Sequence, residues 1–271
     1  MSRLRPLLVV AGQAFLESAR HRVLHALLAA MLLLSVCAHV LAWVSGDDPV
    51  RQTKVVADLS LSALALLGSL AAIFLGTNLV YQEVERRTVY AVLARPIGRG
   101  SFLAGKLLGL VAVVSLACLA MGAVCLASIA LTAGQAAWGK LALALLGTCL
   151  ELAVVSGIGL LFSVAAQPIE GAVFAVVLTA AGHMTASLKL LGAQLLADAG
   201  ASPGLVLRGA AGALELLYVL LPNLEQFNLR AQAVHDLTIA PERLLLMPLY
   251  AAVWLGILLA LSVLVFRRRV L

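Results

Sequence analysis

A glutamate at position 151 stands in the middle of an apolar run over 138–165, and a histidine at position 183 stands in the next run, over 169–190. A charged side chain in hydrocarbon costs from about 2.5 kcal/mol upward on insertion scales, so each such residue needs a partner or a purpose. Glu151 reads as a cavity-lining or coupling acid, and His183 has the chemistry to pair with it or to relay a proton. Apart, each is a hydrogen-bonding or packing residue. On a helix, Glu151 shares its face with Gly147, Thr148 and Val155, a mostly small surface suited to close packing. Asn78, near the end of another apolar run, has the chemistry to hold two helices together, and Gly105 with Gly109 allows close helix contact.

Known catalytic sets do not assemble from these residues. Ser156-Gly157 with His183 suggests an intramembrane serine protease, but Val154 stands where that chemistry needs the first glycine of Gly-x-Ser-Gly. Of the five histidines, only His21 and His25 fall one helical turn apart, and no Glu-flanked motif accompanies them. Glu83 and Glu85 bring no converging His or Cys ligands, which a zinc site requires. Cys37, Cys118, Cys125 and Cys149 all lie in apolar runs, without the spacing of a metal site or a disulfide scaffold, and read as small buried hydrophobes. No Gly-x-x-x-x-Gly-Lys-Ser/Thr phosphate loop occurs, so no catalytic residue, bound cofactor or metal is expected on this chain.

The elements that must position these residues are membrane helices. Hydrophobic residues make up 63% of the 271 and charged ones only 12%, where soluble domains carry about 45–50% and about 25%. Six runs are long enough to span about 30 Å of hydrocarbon: 23–44, 57–81, 102–131, 138–165, 169–190 and 244–266. The expected fold is an all-α polytopic membrane protein, built as one membrane domain over 1–271. The first run follows Arg20-His21-Arg22 and lacks a good cleavage site, so it is expected to be retained. With both termini and the loops after spans two and four on one side, that side collects twelve of the 19 Lys and Arg residues. Cytoplasmic flanks are enriched in these residues, so both termini are expected in the cytoplasm. The net charge of +6 then reflects topology rather than nucleic-acid binding.

Three further segments flank the spans. Residues 1–22 read as an interfacial helix, with Leu7, Leu8, Ala11, Phe15 and Ala19 on an apolar stripe and Arg5, Gln13, Glu17 and Arg20 off it. Residues 191–243 read as an extracytoplasmic segment with short helices; its apolar stretch 203–221 carries Arg208 and Glu215 and suits a helix dipping into the outer leaflet better than a seventh span. Residues 82–101, between spans two and three, read as a short amphipathic helix over 82–94 that Pro96 ends. Gly98 and Gly100 give a turn, and Ser101 is placed to cap the third span. Such a charged elbow suits docking into a groove of a soluble partner; it equally suits an interfacial loop that anchors topology.

That loop also carries a resemblance. Glu83-Val84-Glu85-Arg86-Arg87-Thr88, then Leu93-Ala94-Arg95-Pro96-Ile97-Gly98-Arg99, then Gly105-Lys106, is similar to the signature loop of the second class of ABC exporter permeases. The close, Phe266-Arg267-Arg268-Arg269, is similar to that family's ending, and Pro222-Asn223-Leu224-Glu225-Gln226-Phe227-Asn228 resembles a feature of the subgroup holding the nitrous-oxide-reductase maturation and gliding-motility permeases. The resemblance implies a permease of the bacterial inner membrane. It implies that Glu83, Glu85, Arg86 and Arg87 contact an ATPase, with Arg95 and Pro96 setting the elbow. ATP and Mg would then belong to the partner subunit. Implied partners are ABC ATPase subunits, a second permease half (homodimer or heterodimer), membrane lipid and a periplasmic accessory protein. The chain would couple ATP hydrolysis to export or to mechanical transmission. The rival readings are a non-transporting membrane scaffold that docks a cytoplasmic partner through the same loop, and a secondary transporter.

Overall fold

The computed structural model describes residues 4–85, 98–132, 134–198 and 205–269. Among the described residues all regular structure is helical: α1 (Leu4–Ala19), α2 (Arg22–Val44), α3 (Pro49–Asn78), α4 (Tyr81–Glu85), α5 (Arg99–Ala130), α6 (Trp138–Ala165), α7 (Pro168–Asp198), α8 (Leu205–Leu220), a 3₁₀ turn (Leu224–Phe227), α9 (Arg230–Val234) and α10 (Pro241–Arg269). Six of these, α2, α3, α5, α6, α7 and α10, are long and apolar enough to cross a membrane. The chain is a polytopic, all-helical membrane protein.

Burial is uneven, and the unevenness locates the core. In the most apolar stretch of each helix, 67% of α6 is buried against 22% of α2 and of α10. α6 is therefore the central post, packed by α3, α5, α7 and α10. The outer helices turn Leu33, Val36, Val177 and Leu249 away from the bundle. Inside lipid, helices gain little by burying apolar area against one another, so close approach of small residues does the joining. At Gly76 of α3 and Gly159 of α6 the backbones touch: a Cβ on Gly76 would lie 2.9 Å from Gly159 Cα. Gly105 and Gly109 of α5 admit α1 in the same way, the first with a Cβ position 2.9 Å from the Leu7 carbonyl oxygen and the second against the carbonyl of Ala11.

Several elements add to the sequence expectation or differ from it. α1 lies along the first half of α5 and buries Val10, Ala14 and Ser18, while Leu8 is 64% exposed; the face is turned toward residues small enough to fit the two glycines. α3 begins eight residues before the expected 57, because Asp48 caps it by accepting from the Val50 N–H at 3.0 Å and Pro49 sits in its first turn. Ser101 is not the cap of the third span; α5 starts at Arg99, and Gly98 occupies the cap without a side-chain bond.

α7 continues past 190 to Asp198, and α8 folds back on it, with Leu214 over Gly192 and the Lys189 ammonium 4.9 Å from the Tyr218 ring centre. The 191–243 segment thus opens with a helical hairpin. The 3₁₀ turn then drops back into the bundle: Leu224 meets Gly182, the Phe227 carbonyl meets Gly147, and both side chains are fully buried. Arg243 holds this turn by donating to the carbonyls of Glu225, Gln226 and Asn228 at 2.9, 3.0 and 3.0 Å. The Asn223 N–H donates to Tyr250 Oη at 2.7 Å.

Candidate functional site

The second span does not run smoothly into the loop that follows it. α3 stops at Asn78, and the chain turns at Leu79 and Val80 before the short α4. A break leaves backbone N–H groups without helical partners. Here the N–H groups of Val80 and Tyr81 donate to one acceptor, Ser163 Oγ of α6, at 2.8 and 3.1 Å. Ser163 is buried one helical turn beyond the Gly76–Gly159 crossing, so the central post grips the joint at two successive levels. Asn78, expected to join two helices, donates to the Phe74 carbonyl of its own helix at 2.8 Å.

Just past the joint sits an ionic node. Lys106, on the second turn of α5, has a side chain 3% exposed; its Nζ lies 2.6 Å from Glu83 Oε1 and 3.3 Å from Glu17 Oε2. One ammonium therefore ties α1, α4 and α5 together. Taking such a group out of water costs several kcal/mol, which two carboxylates in contact offset; removing one side of a buried pair typically costs about 3–5 kcal/mol. Phe102 stacks on Phe266 with ring centres 6.2 Å apart. That contact brings Arg99, at the start of α5, to the same end of the bundle as Arg267 and Arg268 of α10. Glu85 is exposed at the end of α4. Arg86, Arg87, Arg95, Pro96 and the rest of the expected coupling helix lie outside the described residues.

A second polar set lies deeper, at the middle of α6. Glu151, with its side chain 4% exposed, places Oε1 3.1 Å from Nε2 of His183 on α7. Two clefts meet at this pair. One, of about 100 Å³, runs past Thr148 and Asn228 to Arg230; the other, of about 320 Å³, lies between α3 and α7 among Leu66, Leu70, Ile73 and Val176. Arg230 is itself 3.1 Å from Asp58 and donates to Ser62 Oγ at 2.6 Å, at the end of the bundle away from Arg99.

The remaining candidates resolve into local contacts. Ser156 Oγ donates to the Leu152 carbonyl at 2.7 Å, as a helix-bound serine does. His21 Nδ1 accepts from the Val23 N–H at the start of α2, and His25 Nδ1 lies 3.2 Å from the His21 carbonyl. The Cys149 thiol donates to Cys118 Sγ at 3.2 Å, a contact across α5 and α6 that the 31-residue separation hides in the sequence. Reading the sequence missed the parts played by Ser163, Glu17 and Lys106. Lys106 carried a usable signal, since a cation within an apolar span calls for a named partner. Ser163 carried none.

Six long apolar helices around a buried central post, with a buried ionic node at one end and a polar pair at mid-depth, define a multi-pass membrane protein with no recognisable hydrolytic centre among the described residues. The chain belongs to the ABC-2 family of transporters: the family model described as "ABC-2 family transporter protein" matches residues 8–271. Among curated proteins, none matches the sequence significantly.

Proposed function

We propose that the chain, one membrane domain over its whole length, is the permease subunit of an ABC transporter of the bacterial inner membrane. It couples ATP hydrolysis by a separate ATPase subunit to export or mechanical transmission. The observation that carries this reading is the Lys106 node. A lever entering the membrane domain transmits force only if its base is fixed to something stiff. Glu83, which opens the loop resembling the coupling segment, is ion-paired to Lys106 in the third span, and the adjoining joint is held to the fourth span by Ser163. A push on the loop would then tilt α4 and α5 together with α1 about the Gly76–Gly159 crossing.

In this reading the basic end, with Arg99, Arg267 and Arg268, faces the cytoplasm, which the excess of positive charge there favours. Glu83, Glu85, Arg86 and Arg87 meet the ATPase, Arg95 and Pro96 shape the elbow, and ATP with Mg is held by the partner. A second permease half completes the complex, lipid covers the outer faces, and a periplasmic accessory protein is a candidate partner at the Arg230 end. The loop and the Pro222–Asn228 stretch favour the subgroup of the nitrous-oxide-reductase maturation and gliding-motility permeases.

The test is co-purification. The full chain should bring down an ATPase subunit, and Glu85→Arg should lose it. A membrane complex without any ATPase, together with an Glu85→Arg variant indistinguishable from the parent, would overturn the reading in favour of a scaffold or a secondary transporter.

A further inference from the structure

The hydrogen-bond geometry at His183 fixes more than a contact. His183 Nδ1 lies 3.0 Å from the Thr179 carbonyl oxygen, one turn back on α7. A carbonyl only accepts, so Nδ1 carries a hydrogen. In a neutral imidazole Nε2 is then a bare acceptor. Yet Nε2 faces Glu151 Oε1 at 3.1 Å, and a carboxylate is also only an acceptor. The two atoms attract only if one further proton lies between them, held as N–H on an imidazolium or as O–H on a carboxylic acid. With that proton the pair is a hydrogen bond of zero net charge, which suits its depth in the bundle. Without it, two lone pairs confront each other in a low-dielectric site.

We propose that Glu151 and His183 form a proton-binding site in the middle of the membrane domain, whose occupancy latches α6 to α7 and which exchanges with the end of the bundle marked by Arg230. The inference concerns the bundle interior and stands apart from the ATPase-coupling reading. Access is provided by the cleft past Thr148 and Asn228, which runs from the buried carboxylate to Arg230, whose side chain is 43% exposed. The step is a bare proton transfer. An N–H or O–H bond breaks, the proton passes to solvent at the cleft, and a neutral histidine and a carboxylate remain.

The consequence follows from what else joins the two helices at this level. The 3₁₀ turn touches both, against Gly147 of α6 and Gly182 of α7, so loss of the latch loosens α7 from α6 at this level while the turn and, nearer the other end, the Phe162–Phe174 stack still hold them. The space that would widen is the apolar cleft between α3 and α7.

Other titratable or charged groups around the pair are already engaged. On α3, Asp58 pairs with Arg230 of α9; the thiols of Cys118 on α5 and Cys149 on α6 contact each other. Glu225 in the 3₁₀ turn accepts from Asn228 Nδ2 at 2.8 Å. Lys189 on α7 lies over Tyr218, and Arg243 and Tyr250 of α10 bind the backbone of the Pro222–Asn228 stretch.

The test uses the full chain in lipid nanodiscs and needs no ATPase. Infrared difference spectra taken while pH is stepped should contain a band change, of a carboxyl if the proton rests on Glu151 or of an imidazolium if it rests on His183, that is sensitive to deuterium exchange and absent from the variants of this pair. Spin labels on α6 and α7 near the Arg230 end should move apart over the same pH range. Glu151→Gln supplies an amide N–H that can donate to Nε2 without titrating, so it should keep the short α6–α7 distance and lose both that signal and the pH dependence of the distance. His183→Asn should also abolish the transition. The proposal is overturned if the parent chain shows no such transition, if the signal persists in Glu151→Gln, or if the α6–α7 distance is the same at every pH in the parent.

Discussion

The Lys106 node and the Glu151–His183 pair are both polar contacts inside an apolar bundle, yet they are built to opposite ends. At Lys106 one ammonium meets two carboxylates from two other helices, one of them half exposed. The contact survives small movements because the second carboxylate remains when the first slips. At Glu151 one carboxylate meets one imidazole, and the bond exists only while a single proton is shared. The first arrangement suits a permanent joint under load. The second suits a contact that is made and released. The difference shows how a membrane protein, which gains little from hydrophobic contact between helices, can set the permanence of a helix pair by counting charges and protons.

The strongest way to break this comparison is at the node. Lys106→Met leaves Glu17 and Glu83 without their shared cation at a partly buried site and should destabilise the fold by about 3–5 kcal/mol, read as loss of folded protein on heating in detergent. Adding Glu83→Gln to that variant should recover part of the loss, since neighbouring sites in one network are not additive. If the two changes simply add, the node is not a unit.

Gly159→Val comes next. Its side chain would press on the backbone of Gly76 and Ala72, for which overpacking costs about 1–3 kcal/mol. Ser163→Ala strips the acceptor from two amides at the joint and should cost about 1–3 kcal/mol. Hydrogen exchange at Val80 and Tyr81 should speed up while exchange in the middle of α6 does not change. Asn78→Ala, by contrast, removes only a bond within its own helix and should fall within about 0.5 kcal/mol of the parent in the same assay. A large effect there would mean that Asn78 joins helices after all.

The bundle was legible in the sequence because length and hydropathy alone decide what crosses a membrane. All six spans are marked that way, but not all their ends: α7 runs on to Asp198 and α10 starts at Pro241, and local chemistry sets two of the others. Asp48 and Pro49 extended α3, and Gly98 replaced Ser101 as the start of α5. Side-chain partners were less legible, for a physical reason. Glu151 and His183 announce themselves as costly residues in hydrocarbon, so their pairing is a natural question to ask of the sequence. Ser163 costs little in a helix, where it can bond its own backbone, so nothing marks it as the acceptor for a broken helix three elements away. The contact of α1 was not legible, because hydrophobicity marks its apolar stripe, whereas fit of Val10 and Ala14 to Gly105 and Gly109 sets the face it packs on α5.

Coupling requires Glu83 to be the base of the lever, and Glu83→Gln tests this with the least disturbance, because Glu17 still accompanies Lys106. The quantity to measure is the ATPase rate of the assembled complex relative to that of its isolated ATPase subunit, with the thermal midpoint of the membrane domain as a control. The account predicts that this ratio falls about tenfold, equivalent to about 1.4 kcal/mol of lost coupling, while the midpoint shifts little. An unchanged ratio in a correctly folded, fully assembled complex would contradict it.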